Sequence, residues 1–120
     1  MGTFTSEIWF ANPQTPAKKR RLDALVDTGA FYSWIPASLL KAEGVTAEFH
    51  RPFKIATGEV IERDCCDVLI HINGEYRHCI AVFGDEDSPV LLGAHALEAF
   101  GLMVDPVNRK LIALPSLPAV

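Results

Sequence analysis

The chain reads as a mainly β protein that closes into a barrel, and three observations carry that reading. Short runs rich in β-branched and aromatic residues recur along its 120 residues. Turn signals separate them, chiefly Gly58 and the pair Asn73-Gly74. Only two stretches carry helical spacing, and both are brief. With 49% hydrophobic residues the composition is that of a globular chain, and its length suits one domain over residues 1–120, with a core about 21–114 and a Pro-containing tail at 115–120.

Residues 3–10 mix β-formers with polar residues and predict a first strand. A loop with two prolines and the basic run Lys18-Lys19-Arg20-Arg21 follows. Residues 22–26 form a second strand and 31–35, aromatic and β-branched, a third. Pro36 suits a first helical position, so a short helix over 37–43 ends at Gly44. Phe53-Lys54-Ile55 and Val60-Ile61-Glu62 flank Ala56-Thr57-Gly58-Glu59, which predicts a hairpin turning at Gly58. Residues 68–72 and 76–83, joined by Asn73-Gly74, predict a second hairpin. The acidic loop Gly84-Asp85-Glu86-Asp87-Ser88 is expected to be solvated. Val90-Leu91-Leu92 is a short buried strand, and residues 94–100 form a helix with Leu97 and Phe100 on one face, stopped by Gly101. Two last strands, 102–104 and 110–114, flank a turn at Asp105-Pro106. Pro115 and Pro118 make the tail a poor central strand.

The stretch that asks for a chemical explanation is Ala24-Leu25-Val26-Asp27-Thr28-Gly29-Ala30. An apolar strand ends on a carboxylate, and Gly29 permits a tight turn whose backbone N–H groups point back at it. A carboxylate held there is costly unless it is hydrogen-bonded or shares a proton, and such costs are concentrated at functional sites.

This stretch resembles the Asp-Thr-Gly motif of aspartic proteases, in particular the small single-domain retropepsin-like families, retroviral and bacterial. Ser33-Trp34-Ile35-Pro36 is similar to the apolar-Pro run that follows the motif. Val90-Leu91-Leu92-Gly93-Ala94-His95-Ala96-Leu97 resembles the second hallmark, two apolar residues and a glycine opening a helix. The resemblance covers residues 21–112 and implies a closed acid-protease barrel, which is the fold class the strand pattern predicts. It implies Asp27, Thr28 and Gly29 as catalytic-loop residues, Thr28 bonding across a two-fold axis and Gly29 lining the substrate backbone. Ala30 would contact substrate, as would Ala56, Thr57 and Gly58, because the 53–62 hairpin occupies the place of the flap that folds over a bound peptide. Leu91, Leu92 and Gly93 would be structural.

The mechanism needs two carboxylates, and this chain has one Asp-Thr-Gly. Asp23, Asp64, Asp67, Asp85, Asp87 and Asp105 all lack the apolar lead-in and the following Thr-Gly. The expectation is therefore a homodimer in which each copy contributes Asp27, with residues 3–10 and 110–114 as candidates for further interface. Three departures from the family pattern matter. Ala30 replaces the Ser of many pepsin-like relatives, which can donate a hydrogen bond favouring the ionised carboxylate, so an activity optimum nearer neutral is expected. The Asp and Arg that pair in retroviral enzymes are replaced together by Phe31 and Ala94, leaving apolar contacts to hold the dimer. His95 stands where an Asp or Asn is usual.

Several function classes recede. A net charge of −4 argues against nucleic acid as the main partner, and the basic run reads as a solvated loop. No apolar run approaches membrane-spanning length, and the N-terminus lacks the features of a signal peptide, so no membrane partner and a cytoplasmic setting are expected. The odd number of cysteines, three, fits a reducing compartment. Cys65, Cys66 and Cys79 lie near His71 and His78, but without zinc-knuckle spacing; core packing of the thiols and packed or rim histidines are the better reading, with no metal and no cofactor. The function expected is an aspartic endopeptidase acting on extended, largely apolar peptides. The alternative is a catalytically silent dimerisation or peptide-binding module on the same fold.

Overall fold

A computed structural model describes residues 4–119. Among these, nine strands and two helices follow in the order β1 (Thr5–Ala11), β2 (Arg20–Val26), β3 (Ser33–Pro36), α1 (Ala37–Ala42), β4 (Phe49–Lys54), β5 (Val60–Ile72), β6 (Glu75–Gly84), β7 (Leu91–Leu92), α2 (Ala94–Phe100), β8 (Leu102–Asp105) and β9 (Lys110–Ala113). Thr3, the first residue assigned to the N-terminal strand, lies outside the described part.

Seven strands form one sheet in the order β1-β2-β7-β3-β6-β5-β4, and β1 also pairs with β5. That last ladder, Trp9 to His71 through Ala11 to Leu69, brings the pairings back to their start. All the strands of the sheet except β4 therefore stand in one hydrogen-bonded circuit, which leaves few open edges. Its inward positions carry Ile8, Phe10, Ala24, Ile35, Val68, Ile70 and Leu92, all essentially inaccessible to solvent. Strands β8 and β9 make a separate two-stranded sheet whose Leu102, Val104 and Leu111 pack on this core.

The expected strands at 60–62 and 68–72 are one continuous strand, β5. Its first half carries Glu62, Arg63 and Asp64, polar residues that mask the strand signal because they sit on a ribbon outside the barrel. Only from Cys65 onward does it enter the core. The third strand starts at Ser33 rather than 31, because Phe31 and Tyr32 bend toward α2. Pro36 ends β3 in extended conformation and serves as the N-cap of α1 instead of its first helical residue.

The acidic loop is not merely solvated. Glu86 accepts the backbone N–H of Ser38 at 3.0 Å, meeting one of the unpaired donors at the start of α1, and Asp85 pairs with Arg63 at 3.2 Å. Hydrogen bonds from the Ser38 hydroxyl and backbone hold the Glu86 carboxyl below its ordinary value. A depressed carboxyl stabilises the fold above its unfolded-state pKa, and that contribution is lost as pH falls through the folded value. The Ser38 amide resonance should therefore shift on acidification with the Glu86 titration. In Glu86→Gln, whose amide oxygen still accepts the bond, the same resonance should stay flat.

The basic run is also bound within the chain. Lys18 and Arg20 reach Glu43 at 3.8 and 3.3 Å, and Arg21 reaches Glu7 and Asp23 at 2.8 and 3.1 Å. The exposed Arg21 pairs add little stability, but together with those on the largely buried Glu43 they leave little free positive charge for a polyanion. The three cysteines are buried and unbridged. Cys66 belongs to the main core and its neighbour Cys65 to a second cluster on the opposite face of β5. Burial pushes the Cys66 thiol up to about 12 and the Cys79 thiol to about 11, which disfavours the thiolate a metal would need. His71 stacks on Tyr76 with ring centroids 5.5 Å apart, and exposed His78 pairs with Asp67 at 3.0 Å.

Candidate active site

Asp27 follows directly on β2, and two long-range ladders fix where that strand ends. Leu25 and Val26 lie parallel to Leu91 and Leu92 of β7, and the Asp27 N–H donates to the Leu92 carbonyl at 3.0 Å. Val26 donates to the Phe4 carbonyl at 2.9 Å on the other side. The chain then turns sharply, with the Ala30 N–H on the Asp27 carbonyl at 3.2 Å. Inside this turn the Gly29 N–H donates to the Asp27 carboxylate at 2.9 Å. A side chain on Gly29 would crowd that same oxygen, since its Cβ would stand 3.1 Å away.

The far side of the turn is joined to α2. The carbonyls of Ala30 and Phe31 accept the N–H groups of Ala94 and His95 at 2.8 and 2.9 Å, which satisfies two donors of the first helical turn. Gly93 sits where the segments cross, and any Cβ there would lie 2.5 Å from the Tyr32 carbonyl oxygen. Its N–H donates to the hydroxyl of Ser33 at 3.1 Å, inside the protein. Ser33 is the one buried polar side chain among the described residues. The sequence places Ser33 in the third strand and in the apolar-Pro run without assigning it a role; its alternation with Ile35 is a usable sign that it faces inward.

His95 acquires a physical role here. Its ring lies 5.6 Å from Phe31 and 5.9 Å from Tyr32, edge-on to the latter. An aromatic contact thus joins the turn to α2 through Phe31 and His95. Phe31 remains 61% exposed, a large apolar side chain beside the carboxylate turn.

The structure therefore brings Asp27, Thr28, Gly29 and Ala30 together with Leu91, Leu92 and Gly93. Ala56, Thr57 and Gly58 lie elsewhere, all exposed at the tip of the β4–β5 ribbon. The tip is closed by Ile55 N–H to the Glu59 carbonyl at 2.9 Å and Gly58 N–H to the Ile55 carbonyl at 2.8 Å, with Gly58 at φ +90°. Asp27 is half-buried, while Thr28 and Gly29 are exposed on the surface of the single chain. Surface clefts of about 560, 460 and 310 Å³ open elsewhere, and Asp27 lines none of them. Among the described residues no group of three or more His, Cys, Asp or Glu is placed to hold a metal ion.

This arrangement has counterparts among solved structures. A retropepsin-like aspartic protease from Rickettsia conorii superposes with a TM-score of 0.58 at 21% identity, over 87% of this chain and 88% of that one. The fold is retropepsin-like. EIAV protease, in complex with the inhibitor HBY-793, matches with a TM-score of 0.56 at 18% identity, over 81% and 86% of the two chains. The retroviral protease-like domain of Ddi1 from Leishmania major gives 0.56 at 16% identity, over 96% and 95%. No protein-family model and no curated protein sequence matches the chain. Among the described residues no helix is long and apolar enough to cross a membrane.

Proposed function

We propose that this chain is an aspartic endopeptidase whose catalytic pair is completed by a second copy of itself. The observation that carries the reading is the Asp27 turn. The Asp27 carboxylate accepts the Gly29 N–H, its backbone N–H is fixed on the Leu92 carbonyl and its turn is tied to α2, yet that turn lies open at the surface with no second acid from the same chain supplied by a matching motif. An isologous contact about a two-fold axis would set the two Asp27 carboxylates side by side. Two carboxylates at that distance share one proton and titrate as a unit. One takes a proton from the attacking water while the other donates the shared proton to the carbonyl oxygen; as the tetrahedral intermediate collapses, the first passes its proton to the leaving amine and the second takes the shared proton back.

In this reading the exposed Thr28 bonds across the axis, and Gly29 and Ala30 line the peptide backbone. The ribbon tip, Ala56, Thr57 and Gly58, closes over an extended and largely apolar substrate, excluding water. Leu91, Leu92 and Gly93 keep the turn in place, and residues 1–120 act as one domain. Exposed Phe31 fits an apolar contact at the shared face. The unbridged thiols fit a reducing, cytoplasmic setting.

Sedimentation at several concentrations, with and without a statine-type inhibitor that mimics the tetrahedral intermediate, tests the shared site. The inhibitor should shift the protein toward a dimer at one inhibitor per pair. A chain that stays monomeric with saturating inhibitor removes the mechanism. Tight binding of apolar peptides without cleavage across a range of pH would reassign the protein as a peptide-binding module.

A further inference from the structure

We propose that Tyr32 and Arg51 form a latch that ties the β4–β5 ribbon to the Asp27 turn, making Tyr32 a positioning residue for ribbon closure. The inference rests on the reading of the ribbon as a flap. It starts from the way the ribbon is attached. β4 pairs with β5 alone, and Phe53 is its single half-buried residue. Beyond backbone pairing and the Arg63–Asp85 ion pair at 3.2 Å, the ribbon meets the rest of the protein through the side chains around that residue.

Phe53 meets Tyr32 edge-on with centroids 6.1 Å apart and Trp34 at 5.2 Å. These rings belong to a second, smaller core in which buried Tyr32, Cys65 and Val82 are flanked by Trp34, Phe53 and Ile80. It is separate from the barrel core and joins the ribbon strands to β3 and β6. Arg51 adds a directional contact: its guanidinium Nη1 donates to the Tyr32 hydroxyl at 3.1 Å, partly shielded from water, with the guanidinium carbon 6.0 Å from the ring centroid.

Tyr32 is also bound on its other side. His95 and Phe31 pack on its ring, at 5.9 and 5.0 Å, and its carbonyl oxygen closes on Gly93. One residue thus touches the ribbon on one side and the Asp27 turn and α2 on the other. A ribbon pivoting there moves relative to the Asp27 turn, and the hydrogen bond biases it toward one position. Removing that bond frees the pivot without unpacking the rings.

The test compares Tyr32→Phe, Arg51→Met and the double variant. Hydrogen exchange should quicken about three- to tenfold in ribbon amides 49–62, as expected for loss of one hydrogen bond, with amides 75–84 unchanged. KM for an apolar peptide should rise by a similar factor while kcat stays within about twofold. The double variant should lose no more than the larger single effect, because both substitutions remove one interaction. Unchanged ribbon exchange, exchange quickened alike throughout the chain, or additive losses would overturn the latch. Measuring the exchange without substrate separates the two readings: a ribbon response to Tyr32→Phe in a protein that cleaves no peptide with Asp27 intact upholds the latch and removes the peptidase.

Discussion

Asp27→Asn should abolish peptide hydrolysis and leave the fold intact. The amide has nearly the volume of the carboxyl, and its oxygen can still accept the Gly29 N–H that is held at 2.9 Å, so the turn survives. What disappears is proton exchange. An amide neither takes a proton from water nor returns one to the leaving amine, and in a symmetric pair both acids are lost at once. A fall in kcat/KM of at least about a thousandfold is expected, with an unchanged unfolding midpoint. Apolar peptide substrates and thermal denaturation of the same preparation measure both. Activity that survives the substitution, or that follows an added metal, removes the assignment.

Gly93→Ala should have the largest effect on stability. The added methyl would lie 2.5 Å from the Tyr32 carbonyl oxygen and 2.9 Å from that of Ala30, both backbone atoms that cannot swing aside. Relief requires separating the Asp27 turn from α2, which breaks the Ala94 and His95 hydrogen bonds and leaves their donors unmet. A loss of about 2–4 kcal/mol is expected, with a Tm lower by roughly 10 °C. Gly58→Ala is the comparison. Gly58 has φ +90° but nothing within 4 Å of an added Cβ, so strain alone applies, about 1–2 kcal/mol. Chemical denaturation of both variants decides; equal losses would mean that the crossing at Gly93 is not tight.

Much of the fold was legible because its signals are local. The helix over 94–100 was bounded by Gly93 and Gly101, and the structure gives α2 those limits, with Gly101 left-handed at φ 64°. The 73–74 turn was equally plain: Asn73 and Gly74 both take positive φ, at 52° and 82°. The continuity of β5 was harder to read, because half of that strand stands outside the core and obeys no burial pattern. Phe31 and Tyr32 looked like strand residues because aromatic composition does not reveal a bend imposed by a helix far along the chain.

By itself the sequence determined the mainly β class, the positions of most turns, and the carboxylate turn together with the apolar pair and glycine that resemble the retropepsin hallmarks. Each rests on neighbouring residues, whose propensities and spacing act wherever the chain goes. Only the tertiary structure decided that Ser33 receives the N–H of Gly93 across 60 residues, that Glu86 caps Ser38 across 48, and that Tyr32 meets Arg51 across 19. Those partners are polar groups brought together by closure of the barrel. Their pairing depends on the distance between strand ends after folding, a quantity that no local pattern encodes.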